Sequence, residues 1–388
     1  MLDSVSPAKA GHAQDSLEAR NLEHYLTYAA PRLKHRRRSG RMPVSVLYEA
    51  YFRGDLDIHD LDGLLANRDS LLSYRLTSGH FWWGLTRALP EVAVHTRWYD
   101  RRLVREHYDR GDDFFSFFLD RGMVYSAAYF ENPAATVDEA QTAKLDRVCR
   151  KLQLKPGERL LDLGCGWGAL TAHAAQHYGA DVTGVTLSRN QARFANQRLE
   201  EAGLQDRARV LCTDYRDIDG PPFDKIASLE MVEHVGVRRL RMFYRQVSRL
   251  LADQGLFLLQ WTGLRRRMRP EDLLWGLFMN RYIFPGADAS LCPSAMLKSI
   301  ESAGFELHGS ENVSIHYAFT LQAWRQNWLR NRSAVVERYG ERWFRIWNFF
   351  LAWSAAIAEK GNAVCTQVVL HKNRGDFDRY RWIRSESP

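Results

Sequence analysis

No pair of cysteines in this chain has the CxxC spacing, and the five present (Cys149, Cys165, Cys212, Cys292 and Cys365) are scattered and odd in number. That argues against a disulfide framework or a zinc site and for a reducing compartment. No stretch reaches the roughly 18 apolar residues of a membrane-spanning helix. The best candidate, residues 347–358, is too short and is flanked by Arg345 and Glu359. The first residues lack the apolar core of a secretory signal. A cytoplasmic chain with only peripheral membrane contact is therefore expected. No internal repeat appears, no metal site is expected, and no basic-aromatic motif of a nucleic-acid module appears, so nucleic acid is not an expected partner.

What is present is globular. Hydrophobic residues make up 45% of the 388 and charged residues 26%, enough for a sizeable core. The formal charge of +8 favours an anionic partner such as a membrane surface, and fits a mildly basic soluble enzyme equally well. Residues 1–16 read as a disordered tail. Residues 17–98 read as a small N-terminal domain that carries the basic run from Arg32 to Arg41, a candidate for contact with lipid phosphates or merely a solvated loop. Residues 99–375 read as the catalytic domain and 376–388 as a tail. From Arg101 onward, short apolar runs alternate with helical patterns. Five buried strands are predicted at 159–163, 181–186, 209–213, 225–229 and 256–261, with helices such as 188–202 and 238–251 between them. This is the β-α-β texture of a doubly wound, mostly parallel α/β sheet. Runs at 305–315 and 363–371 are predicted to add edge strands, making seven. Beyond about Pro270 the pattern is helical and aromatic.

The clearest motif is Leu160-Leu161-Asp162-Leu163-Gly164-Cys165-Gly166-Trp167-Gly168. A hydrophobic strand ends in a glycine-rich turn and a helix begins at once, which lets a ligand approach the backbone closely. The acidic residue before the turn and the absence of the dinucleotide spacing argue against a nicotinamide site, and the segment resembles the cofactor loop of class I methyltransferases. A nucleoside site ordinarily has a carboxylate at the end of the next strand for the ribose. Here that strand ends Thr186-Leu187-Ser188, so Gln191 is the candidate for the contact and Ser188 for the helix cap. The third strand ends in Asp214-Tyr215-Arg216, an acid and an aromatic suited to an adenine, although a turn-forming Asp is the simpler reading of Asp214 alone.

Several collinear segments carry a resemblance. They are HYDRGDDFF from His107, VYSAAYF from Val124, the GCGWG segment, GVTLSRNQ from Gly184, DYRD from Asp214, EMVEHVG from Glu230, NRYIFPG from Asn280 and HYAFTLQAW from His316. Over roughly residues 100–373 the chain resembles the cyclopropane fatty acid synthase family. Its EDLLWGLFMNRYIFPGADAS and YGERWFRIWNFFLAWS stretches are similar in particular to fungal sphingolipid 9-methyltransferases. The resemblance implies a class I, Rossmann-like methyltransferase fold with helical lid insertions and S-adenosylmethionine as methyl donor. It implies that Tyr125 and Ser126 line the donor on its lipid side. Asp162, Gly164, Cys165, Gly166, Trp167 and Gly168 form the cradle, and Thr186, Leu187 and Gln191 meet the ribose. Asp214, Tyr215 and Arg216 meet the adenine, while His107 and Tyr108 open a closing segment. Glu233 and Tyr317 stand in the catalytic centre.

Family members hold a bicarbonate base with a Cys, the Glu, a His and the Tyr. Ala127 and Gln260 replace two of those ligands here, and Ser354 takes the place of a further cysteine, which argues against bicarbonate. The implied activity is C-methylation of a double bond in an unsaturated lipid acyl or sphingoid chain, through a carbocation. A methyl-branched product is favoured over a cyclopropane. A small-molecule amine N-methyltransferase of the same family is the alternative. A cation favours aromatic neighbours, with Tyr317, Phe278, Tyr282 and Trp261 as candidates. The interleaved Trp and Arg of residues 321–358 suit either a membrane-surface face or a buried aromatic core, and Arg265–Arg269 suit phosphate headgroups or a charged loop. The oligomeric state stays open, a homodimer among the options.

Overall fold

The computed structural model describes residues 21–30, 41–83, 86 and 111–384. The tail at 1–16, the run Arg32–Arg38 and the pair His107 and Tyr108 lie outside the described residues. One seven-stranded sheet organises the chain. Its strands are β1 (Arg159–Leu163), β2 (Asp181–Thr186), β3 (Ala208–Cys212), β4 (Phe223–Leu229), β5 (Leu251–Leu264), β6 (Phe305–Asn312) and β7 (Ala363–Lys372). The spatial order is β6-β7-β5-β4-β1-β2-β3. Strands β1 to β5 pair in parallel, and β7 runs antiparallel to both β5 and β6. Residues such as Leu160, Leu161, Ile226, Leu258 and Leu259 are buried, as strands covered on both faces require.

The carboxyl ends of β1, β2, β3 and β4 stand side by side, where open α/β sheets bind ligands. Helix α1 (Val137–Lys151) starts with a Thr136–Glu139 capping box. Helices α2 (Ala169–Tyr178) and α3 (Arg189–Glu201) follow β1 and β2, and the Ser188 side chain caps α3 as expected. Strand β5 is longer than its apolar run, because β4 pairs with it at Leu251 and β7 from Leu264 back to Phe257.

Above the sheet, helices α4 (Pro270–Phe278), α5 (Ser314–Arg330) and α6 (Glu341–Glu359) form a cap, α4 passing into a π-helical turn at Met279–Ile283. Trp324, Trp328, Trp347 and Trp353 are fully buried, so the aromatic stripe is core and not a membrane face. Two of its arginines turn inward as well, Arg325 pairing with Asp62 and Arg345 donating to the carbonyls of Tyr51 and Leu56, while Arg330, Arg332, Arg338 and Arg342 stay exposed. The described N-terminal residues share the core of the cap. Leu47, Tyr48, Phe52 and Leu64 belong to the same cluster as Phe278, Trp347 and Trp353. Arg68 is buried against Glu271 of α4 at 2.6 Å. Residues up to 384 pack on the sheet edge: Phe377 stacks on His371 at 3.7 Å and Trp382 on His308 at 3.4 Å.

Candidate active site

Three cavities open around the carboxyl ends of the strands. The first is a cleft lined by Gly164, Gly166, Thr186, Leu187, Gln191, Asp214, Tyr215 and Arg216, as the sequence led us to expect of a nucleoside site. Gly166 has φ +55°, and a Cβ there would meet no atom within 4 Å, so the loop leaves open space where a ligand must approach the backbone. Gly164, at φ +76°, is required by packing, since a Cβ would stand 2.5 Å from Met231 Cγ. Thr186 Oγ1 donates to Gln191 Oε1 at 2.6 Å, which fixes the glutamine at the end of β2, where no carboxylate stands. Asp214 lines the cleft and also closes the turn that was its simpler reading: its carboxylate takes the backbone N–H and the guanidinium of Arg216, at 3.0 Å and 2.6–2.8 Å. This pair shapes the rim of the cleft.

The second cavity is an apolar tunnel. Trp275, Met279, Phe284, Leu321 and Phe350 form much of its wall, with Tyr125, Glu233, Tyr317 and Ser354. Of the four aromatics proposed for a cation, only Tyr317 lines it. Trp261 donates to the Leu291 carbonyl and is buried in the sheet, while Phe278 and Tyr282 pack on Tyr48. Asn280 also lines the tunnel, 7% exposed, with neither amide atom partnered.

The third cavity is polar and lies behind the glycine loop. It collects Ser126, Asp162, Cys165 and Trp167 from the sequence reading and adds Lys144. Lys144 Nζ donates to Ser126 Oγ at 3.0 Å, and burial pushes the ammonium down to about 8. Asp162 accepts from Thr171 at 3.0 Å, and burial raises it to about 6. It stands under the loop and does not line the nucleoside cleft. Trp167 donates to Asp112 at 2.8 Å and packs on Phe115. Gly168 lines none of the three; a Cβ there would lie 2.8 Å from that of Ala195, so it serves helix packing.

All three cavities share one residue that the sequence reading passed over, Glu230. It stands half-buried just past the end of β4 and has φ +54°, a left-handed conformation uncommon outside glycine. Its Oε1 accepts from Ala127 N–H at 2.8 Å and from Gln260 Nε2 at 2.8 Å, with Cys365 Sγ at 3.7 Å. Tyr317 also hydrogen-bonds it. Positions 127, 260 and 317 are those where the resemblance implied bicarbonate ligands, and here they converge on a side-chain carboxylate. The residues present therefore do not fit a bicarbonate ion. Ser354 instead accepts from Trp275 at 3.1 Å, and the thiol nearest the carboxylate is Cys365 of β7.

Glu233 lies next to this group. Its Oε1 accepts from Thr262 N–H at 2.6 Å, its Oε2 is buried without a partner, and burial with the charge of Glu230 pushes it up to about 8. The only sequence cue for Glu230 was a second glutamate three places before Glu233, and for Cys365 and Asn280 there was none.

Residues 95–368 match the family model described as mycolic acid cyclopropane synthetase. The chain is 44% identical over its whole length to a sphingolipid C9-methyltransferase of Komagataella phaffii, covering 81% of that protein. A mycolic acid cyclopropane synthase crystallised with SAH and CTAB superposes with a TM-score of 0.68 at 31% identity, covering 72% of this chain and all of that one. A coclaurine N-methyltransferase bound to N-methylheliamine and SAH shares the fold, with a TM-score of 0.67 at 20% identity over 85% of this chain and 99% of that one.

Proposed function

Because the chain belongs to the mycolic acid cyclopropane synthetase family, we propose that it is a methyltransferase that uses S-adenosylmethionine to methylate a double bond in an unsaturated lipid chain. One observation carries this reading: the glycine-loop cleft and the apolar tunnel meet, with Glu230 and His234 lining both. The K. phaffii relative favours a sphingoid chain as acceptor.

When bound, S-adenosylmethionine supplies an electrophilic methyl group. Gly164, Gly166, Thr186, Gln191 and Tyr215 hold it. The tunnel aligns the alkene with that methyl, and such positioning is worth roughly 7–11 kcal/mol of barrier. Trp275, Phe284, Phe350 and Tyr125 exclude water, which would quench a carbocation. Tyr317 presents an aromatic face to the cation, worth about 2 kcal/mol when desolvated. A buried carboxylate at the junction takes the proton that must leave, and the product is a methyl-branched alkene.

The lipid is drawn from a membrane that the protein touches only peripherally, on the cytoplasmic side, where its five free thiols stay reduced. Exposed Arg266, Arg267, Met268 and Arg269 precede α4, the helix that brings Trp275 and Gly276 to the tunnel. The test is transfer of radiolabelled methyl to vesicles containing an unsaturated sphingolipid, followed by mass spectrometry and proton NMR. A mass gain of one methylene with a retained vinylic signal is expected. High-field cyclopropane methylene signals would replace branching by ring closure, and activity on a soluble amine alone would replace the whole reading.

A further inference from the structure

Resting on that reading, we infer that Glu230 is the proton acceptor of the reaction, a base built into the chain where an external anion would otherwise stand. Four features of the site assign it. The first is place. Glu230 borders the nucleoside cleft, the apolar tunnel and the polar chamber at once, so its carboxylate faces the point where methyl donor and alkene must meet.

The second is the polarity of its surroundings. Lys151 donates to Gln367 Oε1, Gln367 Nε2 donates to Gln260 Oε1 at 2.8 Å, and Gln260 Nε2 donates to Glu230 Oε1 at 2.8 Å. An ammonium has donors only, so it fixes the direction of both amides in turn. The relay therefore ends on an N–H pointed at Glu230. The Ala127 amide and the Tyr317 hydroxyl point at the same carboxylate. A set of donors converging on one point stabilises an anion there.

The third is the contrast with Glu233. Burial raises both carboxyls, but Glu230 has the donors that favour its anion, and Glu233, with one donor and one bare oxygen, is pushed further and kept protonated beside it. Two carboxyls whose environments separate them in this way divide acid and base roles. The fourth is strain. A glutamate at φ +54° costs of order 1–3 kcal/mol, a cost met where function requires the side chain in that place.

The step balances as follows. After the methyl–carbon bond forms, the neighbouring carbon is cationic. The C–H bond on the methylated carbon breaks and its electron pair closes the double bond onto the cation. The proton passes to the Glu230 carboxylate, giving a neutral carboxyl. It leaves through the polar chamber, past Lys144 and Ser126. No bicarbonate takes part.

Three proteins test this: wild type, Glu230→Gln and Glu230→Gly, the last well suited to a positive φ. All three should bind SAH by calorimetry within about threefold of one another. Glu230→Gln should lose about 10²–10⁴-fold in kcat, the usual worth of a general base. Glu230→Gly should be equally slow and regain about tenfold or more with added formate or bicarbonate, a rescue that a structural role would not produce. The wild-type rate should be the same in bicarbonate-free buffer. A Glu230→Gln variant that keeps wild-type kcat overturns the assignment. So does a Glu230→Gly variant that binds SAH but gains nothing from either anion, or a wild type that needs bicarbonate. If instead the wild type methylates no lipid at all, the failure lies with the proposed function and not with Glu230.

Discussion

At the scale of the residue, the site is governed by carboxyl groups whose surroundings differ. Glu233 titrates near 8 in the folded protein against 4.5 as a free side chain. A carboxyl raised in this way stabilises the fold fully below its unfolded pKa, and that contribution is lost as pH rises through the folded one. Urea unfolding between about pH 5 and pH 9 should therefore show wild-type stability falling with pH. Glu233→Gln, which has no proton to lose, should flatten that fall; equal slopes in the two proteins would refute a neutral Glu233. Gly166 gives a second expectation. Its missing Cβ faces open cleft, so Gly166→Val should fold at a cost of roughly 1–2 kcal/mol for the left-handed backbone. SAH binding by calorimetry should weaken far more, by about tenfold or greater, because the added methyls occupy the ligand's space.

At the scale of the element, Asn280 stands in the π-helical turn after α4, with both amide atoms unsatisfied against an apolar tunnel. A buried group left this way costs about 1–3 kcal/mol. Asn280→Leu should accordingly raise the free energy of unfolding by about 1 kcal/mol in denaturant titrations. It should also raise KM for a lipid with hydroxyl or amide groups while leaving a plain unsaturated chain unaffected. An unchanged KM ratio between the two lipids would remove Asn280 from substrate choice.

The elements also show where the sequence could be read. Strands β1 and β2 stand at their predicted bounds, because a buried apolar run closed by Gly or Ser marks its own ends. The glycine loop, Thr186 and Gln191 were legible for the same reason: the chemistry and the turn lie within a few residues. Strand β5 was not, since its ends are set by partners elsewhere in the chain, β4 at Leu251 and β7 from Phe257 to Leu264. The Trp and Arg period of α5 and α6 could not separate a membrane face from a protein face. Both bury the rings, and what decided it was Asp62 and the carbonyls of Tyr51 and Leu56. Glu230 was invisible because its role rests on a backbone torsion and on donors from four separate segments. The packing of Phe377 and Trp382 was not legible because they follow no period; each stacks on one histidine at the sheet edge.

At the scale of the whole molecule, the N-terminal segment and the cap are one body. Arg68 and Glu271 meet at 2.6 Å, and their side chains are 1% and 8% exposed. Removing one member of such a pair costs about 3–5 kcal/mol, because the other charge stays buried alone. Arg68→Ala should show that loss in urea unfolding, and Arg68→Met with Glu271→Leu should recover most of it. The proposed membrane contact belongs to this scale too. Met268 and Leu273 are 52% and 42% exposed beside the arginines that precede α4. Their joint replacement by Glu should reduce flotation with anionic vesicles while leaving SAH binding intact; unchanged flotation would move the contact elsewhere.

The joint core also has an evolutionary consequence. Tyr48 and Phe52 brace Phe278 from behind, and Phe278 ends the helix that carries the tunnel wall. A change of side-chain volume in the first eighty residues can thus be felt as a change in which chain length or branch the enzyme accepts, with no substitution near the chemistry. New acceptor ranges in this lineage can arise from residues that do not line the tunnel, and these residues and the cap must be inherited as a pair.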